Sequence, residues 1–402
     1  MGADRQDRPG MIPEIDFDYN ADPELWNEPW DHWDVLRRRH RFARTTTGTA
    51  APTWLLSRYD DIHEVFQNPG LFSSRSVTPA EAVDAHRWIP EELDPPDHAR
   101  YRHILMPFFT PGAVKDLEPR LRAWCIELVE KLAPEGGCDV VTAFARRYPT
   151  YIFMGLFGLP VAEADTLLGW ADALMHTSQA DDPDRRQRGD AAASIAGFLT
   201  SLLAARRRDP RHDICSYLVH AEIDGRPLPD DELLSYAFLL YMGGLDTVAG
   251  VLGCAFRHLA TRPADRTRLV GNPGLIPAAV EELLRYYAIV TTGRLVTADT
   301  DFHGCPMRAG DRVLLPTVSA NRDPAAFPAA DEFRLDRAAN RHLAFGAGPH
   351  RCLGSHLARA ELAIALEEWH ARIPDYRLAG PDTVVAHAGG VAGYDSVLLA
   401  WP

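Results

Sequence analysis

The stretch from Ala237 to Phe256 is apolar enough to cross a membrane, yet Asp246 and Thr247 stand at its midpoint. A charge there is costly in lipid, so the segment reads as a helix buried inside a protein and carrying a functional polar pair. Such a helix needs other elements packed around it, and the chain supplies them. Helical periodicity recurs near 59–67, 97–107, 113–132, 163–177, 187–207, 230–260, 276–288 and 353–372. Strand-like pieces are short and peripheral; those at 53–57 and 311–316 are the clearest, each bounded by Pro, Gly or Asp. The expectation is a mainly α body with a small sheet. No Gly/Ser linker, low-complexity tract or repeat divides residues 1–402, which are expected to form a single domain. Residues 178–188 form a polar break, either a simple loop or the mobile lid of a pocket.

Composition narrows the class. A net charge of −14 argues against nucleic-acid binding and against attachment to an anionic membrane. The six cysteines include no Cys-x-x-Cys pair and no framework spacing, which disfavours structural zinc and a secreted disulfide scaffold. No apolar run follows the first residues, so neither a secretory signal nor an anchor is expected, and a cytoplasmic location fits.

One cysteine has a distinctive setting. Cys352 lies in Phe345-Gly346-Ala347-Gly348-Pro349-His350-Arg351-Cys352-Leu353-Gly354, a glycine-rich turn running into a helical pattern marked by Leu353, Leu357, Ala360 and Ile364. At a helix start, unpaired N–H groups and the helix dipole favour an anion, so a depressed thiol pKa is expected. Glycines allow positive φ and close approach to a flat ligand. The bland alternative is a buried structural cysteine packing as a small hydrophobe. The pattern Phe-x-x-Gly-x-x-x-Cys-x-Gly resembles the haem-binding loop of the cytochrome P-450 monooxygenases, in which Cys352 would be the metal ligand of haem b and Phe345 and Gly348 would shape the cofactor loop. Thiolate ligation favours O–O cleavage.

Other segments match the same family. Glu282 and Arg285 share a helix face, which alone is an ordinary surface ion pair. Within the resemblance they and Arg337 form a buried structural triad under the cysteine loop. Gly243-Gly244-Leu245-Asp246-Thr247 matches the oxygen-activation motif, where a small residue leaves room and Asp246 and Thr247 relay protons. The alternative is a helix cap or a back-bonded threonine. His98, Arg102, Arg294 and His350 fall at the places of a clamp on the haem propionates, which favour cationic partners.

The likeness covers roughly residues 88–402 and is particularly clear toward the bacterial camphor hydroxylase, as in Asp94-Pro95-Pro96 and His356-Leu357-Ala358-Arg359. It implies a haem-thiolate monooxygenase that inserts one oxygen atom into a small, mostly apolar organic molecule. It also implies electrons from NAD(P)H through a ferredoxin reductase and a [2Fe–2S] ferredoxin. His86 stands where the camphor enzyme has a tyrosine; it faces the pocket or is an exposed loop histidine. Leu239, Met242, Gly243, Val290 and Thr291 match other pocket positions. Between Arg341 and Ala360 there is no acid. That run is either cation preference around a loop or, with Arg102, Arg341, Arg351 and Arg359, a docking face for an acidic electron carrier. Two rivals remain. A peroxide-driven peroxygenase usually replaces the acid-alcohol pair, and a haem-thiolate sensor would carry an output segment.

Overall fold

A computed structural model describes residues 12–402 apart from 28, 79–86, 178–181, 183 and 381–382. His86 therefore lies outside the described residues. The fold is mainly helical, as expected. At its centre lies the Thr247–Thr261 helix, buried from Val248 to Phe256 and again from His258 to Ala260, with Arg257 half-buried between them. Phe256 packs on Trp369, with ring centroids 4.6 Å apart, and Trp369 also meets Phe144. Truncating a buried ring of this kind typically costs about 3–5 kcal/mol.

The helix expected over 230–260 is two helices, Asp230–Leu245 and Thr247–Thr261, broken at Asp246. The Thr247 hydroxyl donates to the Gly243 carbonyl at 3.0 Å, and such back-bonding bends a helix. Two further helices form the cysteine-side layer. Pro111–Leu132 starts with Pro at its first position and with the Thr110 hydroxyl accepting from the Ala113 N–H at 3.2 Å. It packs on Ser355–Arg372, where Arg122 reaches Glu367 at 2.7 Å and also pairs with Glu368. The helices expected near 59–67, 97–107, 163–177, 187–207 and 276–288 are present as Tyr59–Gln67, Asp97–Phe109, Ala164–Met175, Arg186–Arg208 and Ile276–Tyr286. Those at Pro29–Arg39, Arg147–Leu156 and Pro263–Gly271 were not expected. Of the break at 178–188, residues 186–188 already belong to a helix.

The two expected strands lie side by side. Arg312–Pro316 runs parallel to Thr53–Leu56, with Val313 opposite Trp54, and antiparallel to Thr291–Val296, with Val313 opposite Arg294. Trp54 Nε1 donates to Asp311 Oδ2 at 2.8 Å and ties the distant segments together. This sheet carries Arg294 inward. A second sheet joins Gly393–Ala400 to Val384–His387, Arg377–Leu378 and Gly137–Asp139. It brings His387 and Asp395 beside the break at Asp246.

Candidate active site

The cysteine loop is a folded turn rather than the first turn of the helix. The Cys352 N–H donates to the Phe345 carbonyl at 2.8 Å and the Gly346 N–H to Leu343 at 2.8 Å, while the helix begins only at Ser355. Gly348 has φ +67°, and a Cβ there would stand 2.3 Å from the Phe66 carbonyl oxygen, so only glycine lets the loop lie on the Tyr59–Gln67 helix. Cys352 sits deep within the protein yet keeps free surface, because it opens onto an interior cleft. The expected depressed pKa is not what the geometry yields. Burial dominates and pushes the thiol up, while the Gly354 N–H and the charges of Arg102 and Arg351 pull it down. The dipole of a helix that starts three residues later does not offset desolvation. A metal cation would supply the missing charge, since a coordinating thiol is deprotonated outright.

Behind the loop, Glu282 and Arg285 are fully buried. Glu282 accepts from Arg285 Nε and Nη2, both at 2.8 Å, from Arg337 Nε at 2.9 Å, and from the Arg334 N–H at 2.8 Å. The remaining Arg285 donors go to the carbonyls of Asn321, Ala330 and Glu332. Arg337 likewise donates to Pro328, Ala329 and Glu332. The Asn321 side chain accepts from the Leu343 N–H at 2.6 Å, which transmits this network to the start of the cysteine loop. Glu281 adds a second grip that sequence reasoning left unassigned: it pairs with His342 at 3.1 Å and with Arg359 at 2.5 Å. The Arg359 guanidinium lies 4.6 Å from the Phe345 ring centroid. Burial would raise the Glu281 pKa, but these two partners hold it down at about 2.

Facing Cys352 is a second basic group with few counter-charges. His98 and Arg102 lie one turn apart on Asp97–Phe109, as expected. The His98 and His350 rings are 3.9 Å apart, and His350 Nε2 is buried without a hydrogen-bond partner. Arg294 is buried, donates to its neighbour Gly293 at 2.6 Å, and lies 5.2 Å from the Phe66 ring centroid. Burial, then repulsion from Arg102, lowers His98 to about 4; burial, then His98, Arg294 and Arg102, lowers His350 to about 2. Burial also brings Arg294 down to about 10, against the attraction of Glu91 and Asp94. Basic groups brought together at this cost are suited to an anion, so the residues present fit a haem: they would hold its two carboxylates, and Cys352 would hold its metal.

Glu91 was not anticipated. It sits deep in the protein with free surface, as Cys352 does; burial raises its pKa and Arg294 opposes the rise. Leu239, Met242 and Gly243 share one face of Asp230–Leu245 and are incompletely buried, whereas Ala237, Tyr241 and Leu245 on its other side are buried. A Cβ on Gly243 would meet nothing within 4 Å, so this face borders open space. Val290 is half-buried and Thr291 buried, where its strand leaves Gly390.

Asp246 is buried, and its Oδ1 lies 2.9 Å from His176 Nε2. Burial would raise its pKa, but the bond and charge of His176, with His387 and Arg146, hold it below the ordinary carboxylate value. His176, His387, Asp395 and Arg146 are scattered along the chain, and no local pattern marks them.

A family model described as "Cytochrome P450" matches residues 21–270 and 273–369. The chain is 37% identical to a probable cytochrome P450 127A1 of Sinorhizobium fredii over 90% of this chain and 86% of that one. It is 36% identical to the mycinamicin IV hydroxylase/epoxidase of Micromonospora griseorubida, covering 84% and 86%. Steroid C26-monooxygenase of Mycobacterium tuberculosis is 34% identical, covering 90% and 97%. Among solved structures, cytochrome P450 CYP101C1 superposes with a TM-score of 0.87 at 32% identity, covering 98% of this chain and all of that one. Matched along most of its length by the family model and by these relatives, the chain belongs to the cytochrome P450 family.

Proposed function

We propose that this monooxygenase hydroxylates a small, mostly apolar organic molecule, a terpenoid or another secondary metabolite, in the cytoplasm, with electrons from NAD(P)H through a ferredoxin reductase and a [2Fe–2S] ferredoxin. The observation that carries the reading is the Cys352 thiol, deep in the protein yet with free surface and beside Arg102, together with the poorly compensated His98, His350 and Arg294 crowded next to Arg102. A haem b bound there supplies the one-electron and dioxygen chemistry, with thiolate ligation favouring O–O cleavage. Cys352 holds the metal, and His98, Arg102, Arg294 and His350 hold the carboxylates. Phe345 and Gly348 keep the loop against its support. Gly243 leaves room for dioxygen, and Leu239, Met242, Val290 and Thr291 shape the substrate space. Asp246 and Thr247 hold and pass the protons that the reaction consumes. Relatives named for macrolide and steroid oxidation support a substrate of this general kind.

The test is spectroscopic. Cys352→His is expected to lose the reduced-CO spectrum of thiolate ligation even where haem is retained, and an unchanged spectrum sinks the assignment. Product formation with a ferredoxin system, compared with peroxide alone, separates the monooxygenase from a peroxygenase. In Thr247→Ala, NADH consumption is expected to continue while its electrons are diverted to peroxide.

A further inference from the structure

The buried acid of the relay does not reach solvent by itself. Asp246 is enclosed, and among the described residues its carboxylate is hydrogen-bonded to the His176 ring, at the end of the Ala164–Met175 helix. On its other edge, His176 Nδ1 lies 3.5 Å from Asp395 Oδ1, and the Asp395 side chain is 30% exposed. His387 Nδ1 approaches the same oxygen at 3.0 Å, and Arg146 holds Asp395 at 3.0 Å and Asp172 at 2.9 Å. His176, His387 and Asp395 could also gather a metal ion, but Arg146 already brings positive charge to Asp395. An ion-paired proton path accounts for the group without one.

We propose that His176 recharges Asp246 with protons, linking the buried relay to solvent beside Asp395. The inference rests on the relay role proposed above for Asp246. The imidazolium Nε2–H bond breaks and an O–H bond forms at Asp246 Oδ1. The ring is left neutral with its other proton on Nδ1; it then turns over, so that the Nδ1–H faces Asp246 and the bare Nε2 takes up a proton from solvent beside Asp395. Histidine suits the role because its charge changes near neutral pH. The charged groups around the ring are Asp246, Asp395, Asp172, Arg146 and His387. Burial would lower the His176 pKa, but the hydrogen bond and charge of Asp246, with Asp395, outweigh burial and Arg146 and raise it above its ordinary value.

The experiment uses the ferric holoenzyme labelled with ¹⁵N-histidine. His176 is expected to titrate above the ordinary histidine pKa, and to return toward or below it in Asp246→Asn. A ring already neutral well below its ordinary pKa overturns the proposal. In parallel, His176→Gln, which keeps a donor but cannot shuttle a proton, is expected to slow product turnover by about tenfold to a hundredfold and to raise the solvent isotope effect, with the substrate-induced spin shift unchanged. Turnover within about twofold of wild type also overturns it. If Asp246→Asn is slow while His176→Gln is normal, this inference fails and the relay stands; if both are normal, the relay reading itself fails. The titration of the wild-type enzyme decides the matter even where a variant does not fold.

Discussion

Two groups of buried basic side chains flank the cysteine loop, and they differ in how their donors are met. Arg285 and Arg337 place their donors on Glu282 and on backbone carbonyls. Arg294, His98 and His350 crowd one another instead, and all three have lowered pKa values. Matched cations brace the fold, whereas the crowded basic groups, two of them held neutral, are suited to an anion that is not part of the chain. The burial is similar in both groups, so the distinction lies in partners rather than in depth.

The largest expected effect breaks the matched side. Arg285→Met leaves Glu282 charged and short of partners in the interior, which is expected to cost about 3–5 kcal/mol in denaturant unfolding. A loss below about 1 kcal/mol would mean that the network does not brace the loop.

The opposite sign is expected across the cleft. Burial holds Arg294 at about 10, a penalty on its charge on the order of 3 kcal/mol. Arg294→Leu should therefore leave the haem-free protein as stable as wild type or more so, by up to about 3 kcal/mol, while weakening haem retention. Destabilisation of the haem-free protein comparable to that of Arg285→Met would erase the contrast between the two groups.

Contiguous or short-range features of this site were legible in the sequence. The Cys352 loop is one run of ten residues, Glu282 and Arg285 are one helical turn apart, and Asp246 and Thr247 interrupt an otherwise apolar stretch. The two expected strands could be recognised singly, but not their parallel pairing across more than 250 residues. The break at Asp246 was hidden because apolar periodicity continues through it. The Cys352 pKa was misjudged because the sequence shows a nearby helix but not the desolvation that outweighs its dipole. Glu91 and His176 gain their meaning from partners brought together only by the tertiary fold.

A third test uses pH. The unfolded chain protonates the His98 ring near its ordinary value of 6.5, but the folded protein does so only near 4. The unfolded state thus binds more protons between these values, and stability falls as pH drops through that window. For the haem-free protein, His98 is expected to contribute a loss of about 2 kcal/mol between pH 7 and pH 5, and His98→Gln should remove that share from the pH profile of unfolding. An identical profile in the variant would show that His98 is not held neutral beside Arg102, Arg294 and His350.

The smallest expected effect carries the same distinction to the surface. Of the four arginines expected on a carrier-docking face, Arg359 is engaged by Glu281 and Arg102 donates to the Arg351 carbonyl, whereas Arg341 and Arg351 are exposed. Complementary charge acts mainly on the association rate and is screened over about 10 Å at 0.1 M salt. Arg351→Glu is therefore expected to slow association with an acidic ferredoxin several-fold at low ionic strength and little at high salt, with the reduced-CO spectrum unchanged. Arg359→Gln should slow it less, because Glu281 already offsets that charge, and should instead loosen the loop around Phe345. Equal, salt-sensitive slowing in both variants would show that an arginine paired within the protein still presents its charge to a partner, and that matched and unmatched cations differ less at the surface than in the cleft.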